Sequence, residues 1–338
     1  MRIVILADDF SGAAELAGIA ASRGWKAEVQ TRFDPECEAE VIAVDTDTRL
    51  RSESEAVRVV GEVARAVVAS KPDWIYKKTD SVLRGHVRGE VEEILHATGQ
   101  ERCLFLPANP SKGRIIEDGR YLIEGTPLDQ TLFARDPDFP ARSSMVSELL
   151  GASEQICVPD IGSIADLPTD CSDHVLPAGA ADFFTSLLGE RELVTRNETV
   201  SRILLICGSL AAWDSGRAEE MAQRGFLVRT IDQPPVQEIW EQTDRLCLAI
   251  GRPAGTPDSA SLTDTLVEQA VALAGDSRDL RIALEGGATA IAFLRRMGWE
   301  RFAVIPENHV GVGTLRPLGG PLLSVKPGSY PWPDTLFL

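Results

Sequence analysis

The stretch "LADDFSG" sets two carboxylates, Asp8 and Asp9, side by side where an apolar run ends and a helix would begin. Adjacent carboxylates repel unless a cation, a hydrogen bond or a helix start answers them. A helix cap needs only one, so the pair points to chemistry. "VDTDTR" adds Asp45, Asp47 and Arg49 after a second apolar run, and "YKKTDSVLRG" adds Lys77, Lys78, Thr79, Asp80 and Arg84 after a third. Guanidinium forks match carboxylates, and the N–H groups of a helix start attract anions. Arg84 is expected in the opening turn of a helix as the principal clamp, with Arg88 one turn on and either solvated or paired with Glu92. A solvated charge run would explain any one cluster. Three of them at the ends of neighbouring strands favour a holder for a small polyol bearing a carboxylate.

The second half offers a different chemistry. "CGSL" carries Ser209, "LEGGATA" carries Gly286, Gly287, Ala288 and Thr289, and a glycine-rich loop carries Lys326 and Gly328. Bare glycines let a backbone approach a phosphate, and a helix N-terminus presents N–H donors to it. Alone, Gly-Gly before a helix is often just a turn. The chain contains no Gly-Lys dipeptide, G-x-G-x-x-G, G-x-S-x-G or H-E-x-x-H, which excludes the familiar phosphate-loop, dinucleotide, hydrolase and zinc-protease signatures.

The elements that must position these residues alternate between short apolar runs and helical patterns. "RIVILA", "KAEVQT", "EVIAVDT", "WIYKKT" and "RCLFLPA" read as strands, followed later by "RILLICGS", "LCLAIG", "RIALEGG" and "RFAVIP". Ser52 and Glu55 have capping-box spacing ahead of a helix whose apolar face includes Val60, Val63 and Val67. The rhythm predicts an α/β fold of two domains, residues 1–195 and 196–338, each a mostly parallel sheet flanked by helices. Residues 107–142 break the rhythm and are expected as an irregular excursion over the carboxyl ends of the strands.

Bulk composition narrows the partners. The 338 residues carry 51 acids against 34 bases, a formal charge of -17, which disfavours nucleic acid and anionic membrane surfaces. The opening "RIVILADDF" reads as a buried strand and not as a signal peptide or membrane span. Six scattered cysteines without C-x-x-C fit a reducing cytoplasm, and four dispersed histidines give a zinc site little support. Metal ligands remain unassigned, and a homodimer is possible.

Together the motifs resemble the four-carbon acid sugar kinase family. "LADDFSGA" is similar to its "DDFTGA" opening, "KKTDSVLRG" to its "K-x-x-DSTLRG" segment, and "PANPSKGRIIEDGRYLIEGTPLDQTLFARDP" to its long excursion. "GS", "GGATA" and the "GG…VKPG" loop match more thinly. The resemblance implies ATP-dependent phosphorylation of threonate, erythronate or 3-oxo relatives, with magnesium. It places the acid in the N-terminal domain, the nucleotide in the C-terminal domain, and the active site in the cleft between them. Carried over, Asp9, Arg49 and Lys77, Lys78, Thr79 and Asp80 hold substrate, joined by Arg84. Ser209, Gly286, Gly287, Ala288, Thr289 and Gly328 hold ATP. Asp8 or Asp9 would orient the attacking hydroxyl, and Lys326 would neutralise developing charge. Three positions depart from the pattern: Ala288 stands where the family usually has an acid, "GSLA" replaces "GSCS", and "KPGSY" replaces "K-S-G-x-F-G". A member that binds an acid without efficient transfer, or a kinase for a branched or oxidised acid, is the alternative.

Overall fold

The computed structural model describes residues 1–337 except 137, 190, 197, 234–236, 253–258, 276, 308–310 and 329–330. In chain order its strands begin with β1 (Ile3–Ala7), β2 (Ala27–Gln30), β3 (Val41–Asp45), β4 (Trp74–Lys78) and β5 (Arg102–Leu106). Then come β6 (Arg114–Glu117), β7 (Arg120–Ile123), β8 (Thr126–Pro127), β9 (Ile156–Cys157) and β10 (Val175–Gly179). The last are β11 (Arg202–Cys207), β12 (Leu227–Thr230), β13 (Arg245–Ala249), β14 (Leu280–Glu285), β15 (Arg301–Ile305), β16 (Gly313–Pro317) and β17 (Leu322–Lys326). The chain groups into two compact units, residues 1–16 with 31–192 and residues 17–30 with 193–338. Residues 17–30, which the sequence reading gives to the first domain, therefore pack with the second unit.

In the first unit the strand order is β3-β1-β4-β10-β5-β9, and every pairing is parallel. β1 and β3 are buried along their whole length, as expected of strands covered on both faces. On one face Val4, Leu6, Ile42 and Val44 pack with Val60 and Val67 of α2 (Glu53–Ala69) and with Val91 and Ile94 of α3 (Val87–Thr98). The α2 start shows the expected Ser52–Glu55 capping box. On the other face Tyr76 meets Phe183 and Phe184 at ring-centroid distances of 5.9 and 5.2 Å. A helix at Phe10–Ser22, α1, follows β1.

The excursion is more ordered than the sequence reading expects. β6, β7 and β8 form a small antiparallel sheet joined by two-residue turns at Asp118–Gly119 and Glu124–Gly125, all four residues having positive φ. That is the turn chemistry of tight hairpins, and "EDGR" is its sequence signal.

In the second unit the order is β12-β13-β11-β14-β17-β16-β15-β2. Pairing is parallel from β12 to β17 and antiparallel from β17 to β2. Ile203, Leu205, Cys247 and Ala283 pack with Met221, Phe226, Trp332 and Phe337. Among the described residues no helix is long and apolar enough to cross a membrane.

Candidate functional site

Parallel register makes the first site. Ala7 of β1 lies opposite Asp45 of β3 and Lys78 of β4, so the chain leaves all three strands at one edge. There Arg49 forks onto Asp8, with Nε donating to Oδ2 at 2.7 Å and Nη2 to Oδ1 at 2.9 Å. Its Nη1 donates to Asp9 Oδ2 at 2.9 Å and lies 3.7 Å from Asp80 Oδ1. Asp9 also accepts from Ser11 Oγ and from the Gly12 backbone N–H, so it caps α1 as well as pairing with Arg49. Asp80 is gripped in turn by Arg84, Nε and Nη2 donating at 3.0 and 2.9 Å.

These pairings decide the charges. Burial pushes Asp8 and Asp80 up, but the neighbouring guanidiniums prevail and hold both below the usual carboxylate range. Asp45 goes the other way. It is buried, it faces Asp47, Asp9 and Asp8, and burial first and like charge second push its carboxyl well above the usual range. Its Oδ2 has no hydrogen-bond partner, and neither has the buried Thr79 Oγ1 at the same edge.

A stability test of Asp45 follows from that sign. A carboxyl raised in the folded state costs nothing below its unfolded value of about 3.9 and costs progressively more as pH rises towards its folded value. Asp45→Asn should therefore raise the melting temperature by about 2–4 °C at pH 7 and change little near pH 3. No gain at pH 7 in thermal melts would mean that Asp45 is ionised and answered.

Several expected residues sit differently from the sequence reading. Arg84 precedes α3, which starts at Val87, so it is not in the helix's opening turn. Its third nitrogen, Nη1, donates to Asp136 Oδ2 at 3.3 Å. Lys77 and Lys78 point to opposite faces, as neighbours in a strand must. Lys77 is fully buried 2.5 Å from Glu90 of α3 and presents nothing at the edge. Lys78 stays near the site, donating to the Thr79 carbonyl at 2.8 Å and lying 3.7 Å from Glu15 of α1.

The sequence reading misses three residues that join this edge. Lys112 Nζ donates to Glu15 Oε1 at 2.7 Å. Arg114 hydrogen-bonds Ser81 and lies 5.7 Å over the Phe133 ring. The "SKGR" in the excursion was the available signal: two cations in a long loop. Glu15 gave none, because a lone acid on a helix is commonplace.

The second unit brings its glycine loops together. Cys207, Glu285 and Lys326 are opposite one another in β11, β14 and β17, so the following residues leave the sheet side by side. A Cβ on Gly208 would lie 1.8 Å from Thr289 Oγ1, and one on Gly328 2.8 Å from Ser209 Oγ. Gly286, at φ +102°, precedes the helix Gly287–Met297, and Ala288 is exposed in its first turn. Ser209, Gly286, Gly287, Thr289 and Gly328 thus form one cluster, while residues 329–330 of the last loop lie outside the described residues. Lys326 departs from expectation. It is fully buried, donates to Glu285 Oε1 at 2.6 Å and lies 4.8 Å from the Trp332 ring. Burial lowers its pKa, with Glu285 opposing the shift, and its ammonium is paired with Glu285. Arg217 shares the same Glu285 oxygen at 2.9 Å.

Comparison with known proteins gives the family. A family model described as a sugar-binding N-terminal domain matches residues 3–177. The chain is 35% identical over 166 residues to the D-erythronate kinase of Heliobacterium modesticaldum, covering 46% of this chain and 36% of that protein. It is 30% identical over 171 residues to the D-threonate kinase of Salmonella typhimurium, covering 48% of this chain and 39% of that protein. Each match spans well under half of the relative's length. A Haemophilus influenzae structure from a family of unknown function shares the fold at a TM-score of 0.67 and 14% identity, covering 99% of this chain and 100% of that one. With more than half of its residues matched by the sugar-binding model, and with sugar-acid kinases among its relatives, the chain belongs to the four-carbon acid sugar kinase family.

Proposed function

We propose that this protein phosphorylates a four-carbon sugar acid such as threonate, erythronate or a 3-oxo-tetronate with ATP. The first unit would hold the acid and the second the nucleotide. The observation that carries the reading is the interlocked Asp8–Arg49–Asp80–Arg84 edge, which is dense in fixed donors and acceptors for a polyol. The buried Thr79 lies at the same edge. Arg49 keeps Asp8 ionised, and Asp9 is fixed by three donors, so both would act mainly by orienting the attacking hydroxyl. That is sufficient where the proton leaves late and alignment carries most of the catalysis.

The glycine cluster of the second unit fits a polyphosphate. Its loops are pressed too closely for side chains, and the helix start at Gly287 supplies N–H donors. Among the described residues no group of three or more His, Cys, Asp or Glu side chains is arranged to hold a metal. Magnesium would enter on the nucleotide, whose phosphates and waters supply most of its ligands. When bound, ATP supplies the phosphoryl group.

A second reading, acid binding without efficient transfer, draws on Lys326 being buried against Glu285 and on Ala288 in the helix's first turn. Thermal shift with ATP–magnesium and with sugar acids, each alone, separates the two. The kinase reading expects both to stabilise the protein, and a shift with acids alone favours the second. Gly208→Val should force Thr289 aside and weaken ATP by at least about tenfold while leaving the acid shift intact. Unchanged ATP affinity in that variant would put the phosphates elsewhere.

A further inference from the structure

Beneath the glycine cluster of the second unit lies a fully buried carboxylate, Glu285, at the end of β14. Its register partners are Cys207 on β11 and Lys326 on β17, the last residues before the other two glycine loops. Lys326 Nζ donates to Oε1 at 2.6 Å, and Trp332 Nε1 donates to Oε2 at 3.3 Å. Those two residues bracket the loop that carries Gly328, so one carboxylate holds both of its ends. Lys326 Nζ also donates to the Pro327 carbonyl at 3.1 Å, and the Gly286 N–H donates to the Lys326 carbonyl at 2.9 Å. The Cys207 thiol lies against the same carboxylate, where burial first and Glu285's charge second push its pKa up. Arg217, from the helix Arg217–Gln223, reaches Oε1 at 2.9 Å and ion-pairs Glu220.

We infer that Glu285 is a positioning residue for the nucleotide: its carboxylate sets the spacing of the three loops that a polyphosphate would meet. This rests on the nucleotide reading above and says what holds that cluster in shape. Glu285 is inaccessible and acts only through the loops it ties. Those loops have almost no slack: a Cβ on Gly208 would meet Thr289 Oγ1 at 1.8 Å, and one on Gly328 would meet Ser209 Oγ at 2.8 Å. Stability alone does not call for an ion pair at this place, since apolar side chains of similar volume often hold a core as well. What charge-assisted bonds add is direction, because each fixes a donor on a particular oxygen. Backbone N–H groups grip a phosphate only when aligned, because hydrogen bonds weaken steeply with angle and distance.

The experiment pairs denaturant unfolding with calorimetric titration of ATP–magnesium and, separately, of D-threonate into the full chain. In Glu285→Met combined with Lys326→Met the two charges go together, Arg217 keeps Glu220, and the volumes are nearly conserved. The variant should unfold near the wild-type midpoint, bind ATP–magnesium at least about tenfold more weakly, and bind D-threonate as wild type does. A merely structural pair would not separate stability from ATP affinity in this way. Wild-type affinity for ATP–magnesium in that variant would overturn the assignment while leaving the nucleotide reading in place. Equal losses for ATP and threonate would mark a general loss of order and overturn it as well. If the variant does not fold, Trp332→Phe decides, because it removes the indole donor and keeps an aromatic ring against Lys326. A loss of ATP affinity of about threefold or more in Trp332→Phe supports the assignment, and wild-type affinity overturns it. A wild-type protein that binds no ATP–magnesium would overturn it together with the nucleotide reading.

Discussion

Glu90→Leu is expected to destabilise the protein by about 3–5 kcal/mol, among the largest effects any single substitution should have here. Lys77 and Glu90 are both essentially inaccessible, with Nζ 2.5 Å from Oε2, and they join β4 to α3 across a layer of aliphatic side chains. Removing the carboxylate leaves an ammonium in that layer with nothing to answer it. Glu90 Oε1 has no hydrogen-bond partner, so the pair lacks the surrounding bonds that would offset the desolvation of two ions. Lys77→Met combined with Glu90→Leu should therefore return stability to within about 1 kcal/mol of wild type, or above it. Denaturant unfolding of the three proteins checks this. A double variant as unstable as the single one would show that the ion pair itself holds α3 in place.

Arg49→Met is expected to cost a similar amount, about 3–5 kcal/mol at neutral pH, and to abolish acid binding. One side chain, 14% exposed, answers Asp8 and Asp9 directly and Asp80 at longer range. The pH dependence identifies the cause. Asp8 and Asp80 have folded-state pKa values below their unfolded ones, so their contribution is present above about pH 4 and is lost as pH falls further. Without Arg49 that contribution shrinks, so the gap between variant and wild type should be widest at neutral pH and narrow progressively as pH falls below about 4. A pH-independent gap in chemical unfolding would mean that Arg49 matters for packing and not for charge.

The three charge clusters were legible because each follows a strand whose residues are almost all buried, and parallel strands deliver their ends to one edge. The excursion was legible as a break in the rhythm, but its hairpins were not, although "EDGR" and "IEGT" carry suitable turn residues. β10 was invisible: "VLPAG" has a proline and few β-branched residues, and it inserts between β4 and β5, which only long-range pairing reveals. The roles of lysines were the weakest reading. Alternation along β4 requires Lys77 and Lys78 to diverge, but which of them meets α3 depends on Glu90 arriving from a helix. Lys326 read as a loop cation that neutralises developing charge, whereas it ends β17 with Glu285 of β14 opposite it, 41 residues away in sequence. Arg84 looked like a free fork because Asp80 and Asp136 read as separate charges, whereas the turn that follows Asp80 folds Arg84 back onto it.

The most direct test of sugar-acid kinase activity supplies ATP–magnesium with D-threonate, D-erythronate and 3-oxo-tetronate in turn and weighs the products by mass spectrometry. The expected result, with at least one acid, is ADP and an acid one phosphoryl group heavier in equal amounts, with neither formed by Gly208→Val. ATP left unconsumed with every acid, or consumed without any phosphorylated acid appearing, would contradict it.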